Sequence, residues 1–126
     1  MIRYFLVGIG GFLGAVSRYG LSGLVHQVLK RPGFPFGTLS VNVLGSLLIG
    51  VAMGLVETTE WITPSLRLLL LIGFLGGFTT FSTFSYETLA LFRHGEISFG
   101  LLNLAVHLVG GLIAVWLGLL AGRAIS

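Results

Sequence analysis

The side chains best equipped for chemistry lie in one stretch, Gly73-Phe74-Leu75-Gly76-Gly77-Phe78-Thr79-Thr80-Phe81-Ser82-Thr83-Phe84-Ser85-Tyr86-Glu87. Paired glycines followed by threonines are poor helix formers, and here they interrupt a segment that otherwise reads as an apolar helix. The pattern predicts a break. At membrane depth a broken helix is tolerated where its freed carbonyls line a cavity or hold an ion. Phe81 and Phe84 sit three residues apart, and the hydroxyls of Ser82, Thr83 and Ser85 place hydrogen-bond donors beside them. A phenylalanine stripe is ordinarily packing core. Here hydroxyls stand where leucine or valine would be expected, which weakens that reading.

Other polar residues fall within apolar runs, where an unpaired polar group is costly. Thr38, Asn42 and Ser46 are spaced to stack on one helix face, continued by Gly50 and Gly54. Ser46 and the two glycines read as an interhelical packing seam. Asn42 has two readings, a pathway donor through its amide N–H groups or a structural bond between helices. Arg18 follows Gly10 and Gly14 at four-residue spacing. It is read as a fixed charge drawing anions into a vestibule, or as a side chain snorkelling to the interface or paired structurally. Asn103, His107 and Gly111 share a face, beside a small-residue ridge of Gly110, Ala114, Gly118 and Gly122. His107 either bonds a carbonyl on the next helix or joins a pathway; Glu87 is either a solvated or Arg-paired carboxylate or a pathway end. His26 and His94 lie near loops and carry no signal.

These residues have to be positioned by membrane helices. The 126-residue chain is 55% hydrophobic and 9% charged, with a mean hydropathy of +1.02, far from the roughly one-quarter charged composition of soluble domains. Twenty glycines and ten phenylalanines suit helices packed backbone to backbone in lipid. Breaks at charges and prolines leave four segments, 4–29, 36–56, 65–92 and 97–122, each close to or above the ~20 residues that cross a bilayer core. They form a single four-helix transmembrane domain spanning 1–126. The opening run is read as the start of the first span rather than a cleavable signal. Connections this short leave no room for an extramembrane domain. No phosphate loop, HExxH motif or Ser/His/Asp set is present, so an enzyme is not expected. Cysteine is absent and the basic residues are scattered, which excludes thiolate chemistry and a nucleic-acid surface. With four spans, Arg3, Arg67 and Arg123 fall on one side and Lys30, Arg31 and Arg93 on the other. Because Lys/Arg bias orients membrane proteins, the balance gives no instruction for one orientation. Insertion both ways and chance balance are equally compatible with it.

Gly76-Gly77-Phe78-Thr79-Thr80-Phe81-Ser82-Thr83-Phe84-Ser85 with Glu87, the run Gly10 to Tyr19, and the run Gly37 to Ser46 closely resemble the Fluc (CrcB-type) fluoride channel family across all four spans. The resemblance implies an all-α membrane protein with its third helix broken mid-membrane. It further implies an antiparallel, dual-topology homodimer in the cell inner membrane that lets fluoride out passively and confers fluoride resistance. By the same resemblance Phe81 and Phe84 are pore phenylalanines, Asn42 a pore donor and Arg18 a vestibule arginine. Thr38, Ser82 and Thr83 belong to the polar lining, with Glu87 near a pore end and Asn103 and His107 on the fourth-helix track. Some family members present Tyr and Ser on that track, so this chain departs there. A structural sodium ion at the dimer centre is expected on main-chain carbonyls of Gly76 and Thr79. Fluoride, a second copy of the chain and membrane lipid are the expected partners. A small multidrug-type exporter resembles this layout but uses an acidic residue in its first helix, where this chain has Arg18 and no acid. A purely structural subunit would leave the Phe/Ser/Thr run unexplained.

Overall fold

The computed structural model describes residues 1–125. It is all helical within that range, and four helices are long and apolar enough to cross a membrane: Ile2–Leu29, Phe36–Thr58, Pro64–Arg93 and Ile97–Ile125. They exceed the expected spans by at most three residues at any end. We label the first α1 and the second α2. The third divides into α3 (64–78) and α4 (Phe81–Arg93), and the last is α5 (Ile97–Ile125).

Local chemistry explains the ends. The loop Lys30 to Pro35 stops α1, with Lys30 in the left-handed region at φ 48°. Thr63 caps α3 by accepting the Leu66 amide at 3.2 Å, and Pro64 occupies the first turn, where its missing N–H costs nothing. The α4–α5 turn uses Gly95 at φ +79°, a conformation that penalises a side chain. Within α3, Arg67–Leu75 is wound as a π-helix. Nothing in the residue pattern announces that winding, whose i→i+5 bonds are found mostly as short insertions at functional places.

Two glycine seams hold the bundle. α1 packs along α3, and α2 along α5. At the first seam Gly73 lies where a methyl group would stand 2.8 Å from the Val7 carbonyl, and Gly77 where it would stand 2.6 Å from that of Gly11. At the second, Gly50 faces Gly118 and Gly54 faces Gly122, with the facing Cα about 3 Å from any added Cβ and a backbone carbonyl oxygen closer still. Helices approach this closely only through small residues. Many large apolar side chains, including Phe12, Ile72, Leu112 and Trp116, point outward, as expected where the surroundings are acyl chains.

Gly118→Ala is therefore expected to destabilise the fold by about 1–3 kcal/mol, because the atoms it would strike are backbone and cannot swing aside. Gly8→Ala, which meets open space, is expected to be neutral or slightly stabilising through helix propensity. Thermal unfolding of both variants in detergent checks this; equal behaviour would remove the close-packed seam from the account.

Candidate functional site

The break in the third span is at Thr79 and Thr80, whose backbones are extended at φ −92°, ψ 157° and φ −147°, ψ 119°. The glycine pair expected to form it remains helical: α3 continues through Gly76 and Gly77 to Phe78. The reason lies in packing, since Gly77 is consumed by the contact with α1, while the bonds that end the helix come from another span.

Those bonds are made by Asn42 on α2. Its Oδ1 accepts the Thr80 amide at 2.8 Å, and its Nδ2 donates to the Thr80 carbonyl at 3.0 Å. One side chain thus satisfies both backbone groups of a residue that has left the helix. An unbroken helix would send the Thr80 amide to the Gly76 carbonyl, and that carbonyl is released. Gly45, one turn along α2, makes room for the Thr79 side chain. Arg18 Nε donates to the Gly77 carbonyl at 3.0 Å, placing a cation at the carboxyl end of α3 where the helix dipole favours it. Thr80 then caps α4, its Oγ1 accepting the Thr83 amide at 3.3 Å and donating to Thr83 Oγ1 at 3.1 Å. The Thr83 amide is the one a continuous helix would give to Thr79, so that carbonyl is released as well.

Asn42, Ser46, Thr79, Thr80, Phe81, Phe84 and His107 line one open cavity of about 400 Å³. Phe81 and Phe84 meet with ring centroids 5.7 Å apart and planes tilted by 55°. Their settings differ sharply: Phe84 is 8% exposed and Phe81 79%. Phe84 also lies against the His107 ring, centroid to centroid 4.1 Å. His107 Nε2 is 3.1 Å from Asn42 Nδ2, and its Nδ1 is 3.1 Å from the Asn103 carbonyl. From here a line of polar groups runs along α4. The fully buried Asn103 donates Nδ2 to Thr88 Oγ1 at 2.9 Å, and that hydroxyl donates to the Phe84 carbonyl at 2.7 Å. Asn103 Oδ1 has no hydrogen-bond partner among the described residues. Further on, Thr38 Oγ1 donates to Glu87 Oε1, and Glu87 lines a second cavity of about 240 Å³ with His26, Arg31 and His94 near the α1–α2 loop.

The residues singled out in the sequence divide accordingly. Asn42, Phe81, Phe84, His107 and Thr79 meet at the first cavity, with Gly76 on its wall. Thr38, Glu87 and Asn103 belong to the line leading away. Arg18 sits behind the break on the α1 side, while Ser82 and Thr83 lie exposed on the first turn of α4. Two participants escaped the sequence reading. Thr80 could have been found as a threonine standing just before a helical segment, a residue type favoured at an N-cap. Thr88 had no signal, because its role depends on a residue fifteen positions away.

With both Thr80 backbone groups held by one amide, Asn42→Leu is expected to cost about 2–4 kcal/mol, the penalty for two orphaned groups. Ser46→Ala, on the same face but outside the bonded set, should be close to neutral. Melting temperatures in detergent, with hydrogen exchange at the Thr80 amide, test this; an Asn42→Leu protein melting with the parent would show that the break stands without Asn42.

Residues 5–119 match the family model described as CrcB-like protein, Camphor Resistance (CrcB). A protein of Geotalea daltonii is 45% identical over 119 residues, covering 94% of this chain and 95% of its own. A protein of Chlorobium luteolum is 48% identical over 118 residues, covering 94% and 90%. A protein of Sorangium cellulosum is 45% identical over 123 residues, covering 98% and 96%. Each of the three relatives is named a fluoride-specific ion channel FluC.

Proposed function

The chain belongs to the CrcB-like family, and from that premise we propose that it is a fluoride-specific ion channel, not an enzyme, letting fluoride leave the cell passively across the inner membrane and so protecting against its toxicity. The observation that carries the reading is the mid-membrane break, where Asn42, Thr80 and the Phe81–Phe84 pair border one cavity. Fluoride is small and strongly hydrated, so a pore must replace its water with close donors. The Phe81 and Ser82 amides in the first turn of α4, the hydroxyls of Ser82 and Thr83, and the electropositive edges of Phe81 and Phe84 are groups of that kind. The amino end of α4 adds a positive dipole end at membrane depth, the arrangement used for anions in broken-helix transporters.

The working unit in this reading is an antiparallel homodimer of oppositely inserted copies. Its supports are the three-against-three distribution of basic residues about the four spans and the 79% exposure of Phe81 at the cavity rim, where a second copy would complete the wall. A sodium ion at the centre of that dimer would be held by the Gly76 and Thr79 carbonyls, the two whose helical donors are diverted to Asn42 and Thr80. The donor set fits: oxygen dipoles without formal charge suit a hard monovalent cation, and a second copy would double the ligand number. Such an ion would supply positive charge that ties the two breaks together.

Replacing Phe81 or Phe84 with Ile keeps bulk and apolarity while removing the electropositive ring edge. Each variant is expected to lower fluoride efflux from proteoliposomes by at least about tenfold, equivalent to about 1.4 kcal/mol on the barrier, while still eluting as the parent dimer. Parent-rate fluoride efflux in both variants would contradict the aromatic pathway. Single cysteines at loop positions, labelled from either side of the membrane, test the assembly: labelling from both sides is expected, and one-sided labelling at every position would contradict dual topology.

A further inference from the structure

The bonding around His107 constrains what the Asn42 amide can offer an anion. A carbonyl only accepts, so His107 Nδ1, 3.1 Å from the Asn103 carbonyl, carries a hydrogen. An amide nitrogen only donates, so His107 Nε2, 3.1 Å from Asn42 Nδ2, presents its lone pair. The ring is therefore the neutral Nδ1–H tautomer. In this state Asn42 has no free donor: one Nδ2 hydrogen is on the Thr80 carbonyl and the other on His107. The neutral imidazole occupies the position that an incoming anion would need.

A proton taken from water onto Nε2 reverses this. The Nδ1–H bond to Asn103 is kept, and Nε2–H now points at the Asn42 N–H. Two donors directed at each other repel, and an anion that accepts from both as the two side chains part satisfies both. The setting offers the ring little other compensation. On α2, the titratable residue is Glu57, which is bonded to Arg123 of α5 at the far end. On α4 they are Tyr86, Glu87 and Arg93, and Glu87 accepts from Thr38. None of these makes a hydrogen bond or ion pair to His107, whereas the cavity lies directly beside it.

We propose that His107 is a fluoride ligand that acts when protonated, so that proton and fluoride occupy the Asn42–His107–Phe84 site together. The proposal rests on the channel reading for its identification of the anion. Because the fluoride-bound state holds one more proton, fluoride affinity rises as pH falls, and by reciprocity fluoride raises proton occupancy of the ring. A residue that merely packed against Phe84 would show neither effect.

Two measurements test it. In detergent-solubilised protein labelled with ¹⁵N-histidine, adding sodium fluoride at fixed pH is expected to shift the His107 signals, assigned by their loss in His107→Gln, toward imidazolium; sodium chloride is expected not to. Unchanged His107 signals in saturating fluoride would overturn the proposal. In proteoliposomes, with the leak of neutral HF through protein-free vesicles subtracted, parent fluoride efflux is expected to rise about 5- to 10-fold from pH 8 to pH 5.5, the size of an ordinary coupling. His107→Gln, whose amide N–H donates at every pH, is expected to lose that dependence. A parent rate independent of pH, or the same pH profile in His107→Gln, would overturn the proposal. Absence of fluoride efflux at every pH, with the fluoride-induced ¹⁵N shift intact, would sink the channel reading while supporting the site.

Discussion

A helix in hydrocarbon can be interrupted only where something other than water completes the hydrogen bonds of the interrupted backbone. In this chain the pairing of the Asn42 amide with the N–H and C=O of Thr80 does so, and the rest of the site depends on that pairing. It ends α3 at Phe78 and releases the Gly76 carbonyl. It also lets Thr80 turn its hydroxyl to the start of α4. Arg18 at the Gly77 carbonyl completes the other side. The result is a membrane span with a carbonyl end and an amide end facing a shared cavity, a polarity that a continuous helix hides inside its own bonds.

The glycine seams give that pairing its precision. Asn42 reaches Thr80 because α2 and the third span approach closely where Gly45 makes room for Thr79, and because α1 is drawn onto α3 through Gly73 and Gly77. The second seam fixes α5 along α2 and so sets the height of His107 opposite Asn42. Helix packing and site geometry are therefore one problem here. A methyl group added at a seam moves backbone, and moved backbone shifts donors whose usefulness depends on a few tenths of an ångström.

Hydropathy made the four spans legible, because chain length between charges and prolines is set directly by bilayer thickness. The run from Gly76 to Glu87 stood out for the same kind of local reason, since hydroxyls and glycines are conspicuous in an apolar segment. The location of the break was not legible. Local propensity favoured the glycine pair, and the outcome was decided by a bond from Asn42, 38 positions away. Partner choice was likewise hidden: Arg18 could have snorkelled, yet it caps Gly77; His107 bonds the Asn103 carbonyl of its own helix and the Asn42 amide of α2 instead of a carbonyl on the next helix; and Glu87 accepts from Thr38. The π-helical winding of Arg67–Leu75 also had no signature in the residue pattern.

The central claim is that this break and its cavity select and pass fluoride. Purified parent protein in liposomes loaded with equal potassium fluoride and potassium chloride, opened to potassium by valinomycin, tests it most directly, with both anions followed by ion-selective electrodes. The account predicts rapid release of fluoride with chloride retained at the level of protein-free vesicles. Equal release of the two anions, or retention of both, would contradict it.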